Sequence, residues 1–199
     1  MRDKAVVALR RAPMKTLVAL VLGLRTEESA WRAGADGEVE VAWQLRKLGP
    51  QWRVLHAVGV GEKASDIDHV VIGPGGIFTL NTKNHGRNRV WVAENTFMVN
   101  GKKTAYLRNS RFEAQRASKL LSSACGGNVV VEPVIVVMAG GVTVKAPPAG
   151  VHVVEYRRIA RWLVKRPAVL APDKVEGLFE QARRDSTWRS HHPRGPCCT

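Results

Sequence analysis

A chain of 199 residues with 45% hydrophobic side chains is long enough to bury a core, and one domain with extensions is the expected organisation. A formal charge of +14 and a pI near 10.4 point to a polyanionic partner, nucleic acid ahead of an acidic membrane surface. Three cysteines exclude a disulfide framework and fit a reducing cytosol.

Residues 1–30 are expected to form a helical, basic extension. Its apolar run TLVALVLGL, residues 16–24, falls far short of the roughly 20 residues that a membrane span needs, so no stable membrane insertion is expected. Residues 31–48 carry a helical period, with Gly34, Glu38, Val41, Ala42, Leu45 and Leu48 on one side and Glu40, Arg46 and Lys47 on others. Glu38 therefore sits among apolar residues, where a carboxylate requires a partner.

After Gly49 and Pro50 the pattern becomes strand-like. WRVLHAVGV, IDHVVIG and IFTLNTK read as three strands, the last two joined by GPGG at Gly73 to Gly76. RVWVA and FMV extend them into an antiparallel meander closed by an Asn100–Gly101 turn of type I′ character. Ser110, with Glu113 three residues later, matches a capping box and predicts a helix start. That helix buries Ala114, Ala117, Leu120, Leu121 and Ala124 and stops at Gly126–Gly127. VEPVIVVMAG reads as a strand buried on both faces, reached by a crossover, and VHVVE as another. YRRIARWLVKR, ended by Pro167, and DKVEGLFEQARR read as helices. The fold class is α/β or α+β, a central mixed sheet flanked by helices. The expected divisions are 1–30, a main domain at 31–166, a C-terminal helix at 167–185 and a disordered tail at 186–199 with His191, His192, Cys197 and Cys198.

Charge is unevenly spread. Residues 83–119 hold nine Lys or Arg against Glu94 and Glu113, whereas residues 36–68 gather Asp36, Glu38, Glu40, Glu62, Asp66 and Asp68. A phosphate-binding surface around an acidic metal focus has this distribution, and so do ordinary solvated faces. Strand alternation adds to this: Asp66 and Asp68 share a face of one strand, Asn81 and Lys83 share a face of the next, and the GPGG hairpin brings the two pairs close together. Carboxylates on one strand and a residue-x-Lys on the next suit metal-dependent phosphodiester hydrolysis, with the carboxylates on Mg²⁺ and the lysine on the attacking water. His69 falls opposite Asp68 and reads as packing, and His56, His85 and His152 have no metal-ligand spacing. GVGEK at residues 59–63 lacks the spacing and hydroxyl of a phosphate-binding loop.

GADGEVEVAWQL, SDIDHVVIGPGGIFTLNTKNH and YLRNSRFEAQRASKLL, in that order, resemble the nuclease-related domain (NERD) family, a branch of the PD-(D/E)XK nuclease-like superfamily, over residues 31–140. The resemblance implies a restriction-endonuclease-like core. It implies Glu38 as the helix carboxylate, Asp68 as the metal-binding aspartate, Lys83 as the catalytic lysine and Gln115 as an accessory polar residue. Asp66 is expected to be a strand-start residue. Asn81 is a departure, because the pattern has Asp or Glu two residues before the lysine. An amide oxygen can coordinate Mg²⁺ or Mn²⁺ but brings no charge.

Two functional expectations follow. One is a Mg²⁺-dependent nuclease acting on DNA, ahead of RNA, in DNA processing or repair, with Glu38, Asp68 and Asn81 on the metal. The other is a weakened binding module of the same fold. In both, Arg87, Arg89, Lys102, Lys103, Arg108 and Arg111 would hold phosphates, and Trp91 is a candidate for base stacking, although a strand tryptophan is more often core. A membrane-surface protein anchored through its termini is the third reading.

Overall fold

The computed structural model describes residues 27–61 and 66–189. The run at 16–24, Glu62 and Lys63, and the His191, His192, Cys197 and Cys198 tail lie outside the described residues. No described helix is long and apolar enough to cross a membrane.

Helix α1 (Glu27–Leu45) leads into β1 (Arg53–Gly59), β2 (Asp66–Gly73) and β3 (Gly76–Asn84), which pair antiparallel in succession. Pro74 and Gly75 form the connection closed by the Gly73–Gly76 pair, as the sequence predicts. The meander then breaks. Strands β4 (Arg89–Ala93), β5 (Thr96–Val99) and β6 (Lys102–Lys103) join β8 (Gly141–Val144) in a separate sheet of order β6-β5-β4-β8. The physical reason is that β3 has no edge left to offer. Its second edge is taken in parallel by β7 (Glu132–Met138), and the sheet runs β1-β2-β3-β7-β9, with β9 (His152–Glu155) parallel to β7. The chain leaves β3 at a turn where the His85 N–H donates to the Met138 carbonyl at 2.7 Å and Gly86 adopts φ 56°. Asn100 and Gly101, at φ 47° and 79°, join β5 to β6 in the expected type I′ manner. Strand β8 is short and partly exposed, and its apolar pattern is too weak to announce it.

Helix α2 (Tyr106–Cys125) is the crossover between β3 and β7. It begins at Tyr106 behind Ala105 rather than at Ser110, so the capping box is incorrect. Leu107 is anchored in the cluster around the small sheet, and Tyr106 meets Phe97 edge-on at 5.3 Å, which starts the helix earlier. Ser110 becomes a buried interior residue beside Leu107, Ala114, Ala117 and Leu121. Gly126, at φ 65°, ends the helix.

Three clusters hold the layers together. Ala114, Ala117 and Leu121 of α2, with Val175 and Leu178 of α4 (Pro172–Ala182) and Trp188 of α5 (Asp185–Trp188), cover Val70, Ile72 and Ile77 on one sheet face. Val41 and Leu45 of α1, with Ile159 and Leu163 of α3 (Ile159–Val164), cover Val71, Phe78, Leu80, Val134 and Val136 on the other. The small sheet caps Ile135 and Val137 with Val90, Val92 and Phe97. Val134 to Val137 are each 0% exposed, the both-faces burial read for this strand.

Packing runs to Trp188, which is 3% exposed and donates its Nε1–H to the Ala182 carbonyl at 2.6 Å. Trp188→Ala should lower unfolding free energy by about 3–5 kcal/mol. Urea denaturation checks this, and a loss under about 1 kcal/mol would show that the C-terminal turn is not part of the core.

Candidate active site

The β2–β3 pairing is continuous to His69 opposite Leu80, and one further step of that register sets Asp68 opposite Asn81. Alternation places Asp66, Asp68, Asn81 and Lys83 on the face covered by α2. The backbone N–H of Thr82 donates to Asp68 Oδ2 at 2.6 Å and pins the aspartate against the end of β3.

Helix α1 reaches the same end because Gly37 permits close approach. A Cβ there would meet Asn84 Cβ at 3.0 Å and Thr82 Cγ2 at 3.3 Å. The next residue, Glu38, is half-buried within electrostatic reach of Asp68, Lys83 and Asp66. Lys83 Nζ lies 5.3 Å from the Tyr106 ring centroid, and that ring stacks on His85 at 5.6 Å, so an aromatic wall steers the ammonium. Asp66 is exposed at the first position of β2 and adds a like charge to Glu38 and Asp68. Glu38, Asp68, Asn81 and Lys83 thus converge from one helix and two strands.

Helix α2 contributes a residue that the sequence reading assigned to a cap. Asn81 Nδ2 donates to Glu113 Oε2 at 2.9 Å. Glu113 lies three residues after buried Ser110 and four before buried Ala117, on the helix side that faces the sheet. That position was its available signal: like Glu38, it is a carboxylate within an apolar stripe. Gln115, two residues on and so about 200° around the helix, is exposed and turned away from Glu113.

Burial raises all three carboxyls. Glu38 is pushed up by burial and then by Asp68, with Lys83 opposing. Asp68 is pushed up by burial, against the Thr82 N–H and Lys83. Glu113 reaches about 7, from burial first and the Asp68 charge as well, despite the Asn81 hydrogen bond and Lys83. Clusters of shifted groups of this kind are a mark of functional sites. His69 moves the other way, to about 4, through burial and then His56, whose Nδ1 lies 2.8 Å from its own. It is a neutral packing residue at pH 7, on the face away from Asp68.

A cleft of about 390 Å³ opens beside the acids, lined by Asn81, Asn109, Phe112, Glu113 and Arg116 over Val60 and Ile67. Phe112 is 63% exposed on its rim. A larger hollow of about 600 Å³, lined by Arg158, Arg161, Trp162 and Lys165, lies between β8, β9 and α3 and holds none of the site acids. Of the candidate phosphate contacts, Arg87, Arg89, Lys102, Lys103 and Arg108 are exposed, Arg87 in the turn before β4, the next three on the small sheet and Arg108 in the first turn of α2. Arg111 is engaged with the Ala149 carbonyl, through Nη2 at 2.8 Å and Nε at 3.2 Å. Trp91 is partly buried on β4.

The donors present suit a hard divalent cation. Glu38 and Asp68 offer carboxylates, and Asn81 Oδ1 and Glu113 Oε1 are buried oxygens with no hydrogen bond among the described residues. Among the described residues no three His, Cys, Asp or Glu side chains are grouped so that they could hold a metal ion. Mg²⁺ does not require such a group, because it keeps waters and is held by one or two carboxylates together with substrate phosphates. The family model for the nuclease-related domain matches residues 33–138, which include every one of these groups. No curated protein and no solved structure matches the chain.

The Glu113 carboxyl, ordinarily near 4.5, has a raised folded value of about 7, so it favours folding only when protonated. Its contribution is complete below the unfolded value and is lost as pH rises through about 7. Glu113→Gln keeps an acceptor for Asn81 without the charge. In EDTA it should stabilise the protein by on the order of 3 kcal/mol at pH 8 and by little at pH 4.5. Denaturation at the two pH values tests the sign, and a gain that fails to grow with pH would refute the burial argument.

Proposed function

Because the chain belongs to the nuclease-related domain family, we propose that it is a Mg²⁺-dependent nuclease that hydrolyses phosphodiester bonds of DNA, ahead of RNA, in DNA processing or repair. The observation that carries this reading is the meeting of Glu38, Asp68 and Lys83 at the end of β3, with electrostatic reach of one another. Glu38, Asp68 and the Asn81 amide oxygen would hold Mg²⁺, with Mn²⁺ as a substitute. The bound ion supplies a Lewis acid for the phosphate and lowers the pKa of a water. Lys83, set beside the Tyr106 ring, would orient the attacking water and offset negative charge as the phosphorus becomes pentacoordinate. Thr82 N–H keeps Asp68 in place for this work. The exposed Arg87, Arg89, Lys102, Lys103 and Arg108 grip the backbone of the nucleic acid without reading its bases. We assign the protein to the cytosol on its cysteine content.

One observation favours a second reading. Asn81 stands where the family pattern expects a carboxylate, and an amide adds no charge for the metal. A chain weakened in this way would bind nucleic acid without cutting it.

Incubating plasmid and oligonucleotide DNA with the full chain and Mg²⁺ or Mn²⁺ separates the two. For the nuclease, cleavage should stop in EDTA, fall roughly 10²- to 10⁴-fold in Lys83→Ala, and vanish in Asp68→Ala. Tight binding with no metal-dependent cleavage in any of them would leave only the binding module. In either case affinity for DNA should fall steeply with salt. Arg89→Ala and Lys102→Ala should each reduce the slope of log K against log salt by about one, uniformly across sequences. Unchanged slopes would move the phosphate contacts off the small sheet.

A further inference from the structure

We propose that Phe112 is a stacking platform for the base of an unpaired nucleotide, which makes single-stranded nucleic acid the preferred occupant of the cleft beside helix α2. This rests on the nucleic-acid reading given above and narrows it to a substrate class, and it requires neither a metal nor cleavage.

Helix α2 spends Leu107, Ser110, Ala114, Ala117 and Leu121 on the core. Phe112 is left 63% exposed, so its ring adds little to the burial that holds the fold. A single exposed apolar residue is common and explains nothing alone. The setting of this one is specific. Arg108, Phe112 and Arg116, all exposed, follow one another at four-residue spacing, about 6 Å apart along the helix axis. A ring between two guanidinium groups combines a flat stacking face with attraction for phosphate, the pairing that single-strand binding surfaces use. The same charges decide against a second copy of this chain as the occupant, because at +14 it would bring like charge to the ring.

The space beside the ring fits one nucleotide. The cleft of about 390 Å³ has Val60 and Ile67 as its apolar floor and Asn109 and Arg116 on the same helix as Phe112. That volume lies in the range of small-ligand sites and admits a single nucleotide rather than a duplex. The Asn109 amide offers a donor and an acceptor to a base edge. Asn81 belongs both to this cleft and to the end of β3 that carries Lys83, so the platform borders the candidate catalytic groups.

Stacking of this kind discriminates by strandedness. Inside a duplex each base is covered on both faces by its neighbours, and a side chain meets a base face only where the nucleotide is unpaired or turned out. Every base has such a face, so the contact selects single strands without selecting a sequence.

Fluorescence anisotropy in EDTA, with the full chain, tests this on a labelled single-stranded oligodeoxynucleotide and on the blunt duplex made with its complement. Wild type, Phe112→Ala, Phe112→Tyr and Arg89→Ala are compared, with melting to confirm folding. Phe112→Ala should lower the ratio of single-strand to duplex affinity roughly 5- to 150-fold, and Phe112→Tyr, which keeps the ring, should restore it. If Phe112→Ala leaves that ratio unchanged while Arg89→Ala weakens binding of both oligonucleotides, the platform is overturned and the nucleic-acid reading survives. If wild type binds neither oligonucleotide, both fall. A loss in Phe112→Ala that tyrosine does not restore, or a change confined to self-association in sedimentation, also overturns the stacking assignment.

Discussion

Strand β3 is buried on both faces and paired on both edges, antiparallel to β2 and parallel to β7. Its apolar half, Ile77 to Leu80, needs cover above and below, which brings α2 to one face and α1 to the other. The same strand continues into Asn81, Thr82 and Lys83. The two helices recruited to bury its first half therefore also flank its polar end, one carrying Glu38 and the other Glu113. Hydrophobic burial is non-directional, but applied to a strand in a fixed register it brings Glu38, Asn81, Lys83 and Glu113 to one end of the sheet.

The two helices are held to different tolerances. Helix α1 comes close through Gly37, where a Cβ would press on Asn84 and Thr82, so the position of Glu38 depends on a missing side chain. Helix α2 is fixed by a stripe of small residues, Ser110, Ala114 and Ala117, which lets its backbone lie near the sheet and lets Glu113 reach Asn81. Larger residues in that stripe would separate the helix from the strand.

The periodicity of two in the β2–β3 hairpin, the glycines that close it and the unbroken apolar run of β7 were all legible in the sequence, because each is a local pattern with a local cause. So was Glu38, a carboxylate on an apolar helix side. The small sheet was not legible: whether β4 continues from β3 depends on β7 occupying an edge, and β7 lies some fifty residues later in the chain. Glu113 was missed for a related reason. Ser110 and Glu113 satisfy a local capping rule, but the contacts of Tyr106 and Leu107 with the small sheet start the helix a turn earlier and turn both residues inward. A tertiary contact overrode a local signal, and it did so at the site.

The crowding of acids also explains why an amide is found among them. Asp68 faces Asn81 across the hairpin register, and Asn81 touches Glu113, so a carboxylate at position 81 would stand between two others in a partly buried place. Like charges at such separations cannot all ionise, and one would be forced to keep its proton. With asparagine in the middle, the two flanking carboxylates are separated by a group that donates to one and leaves an oxygen free.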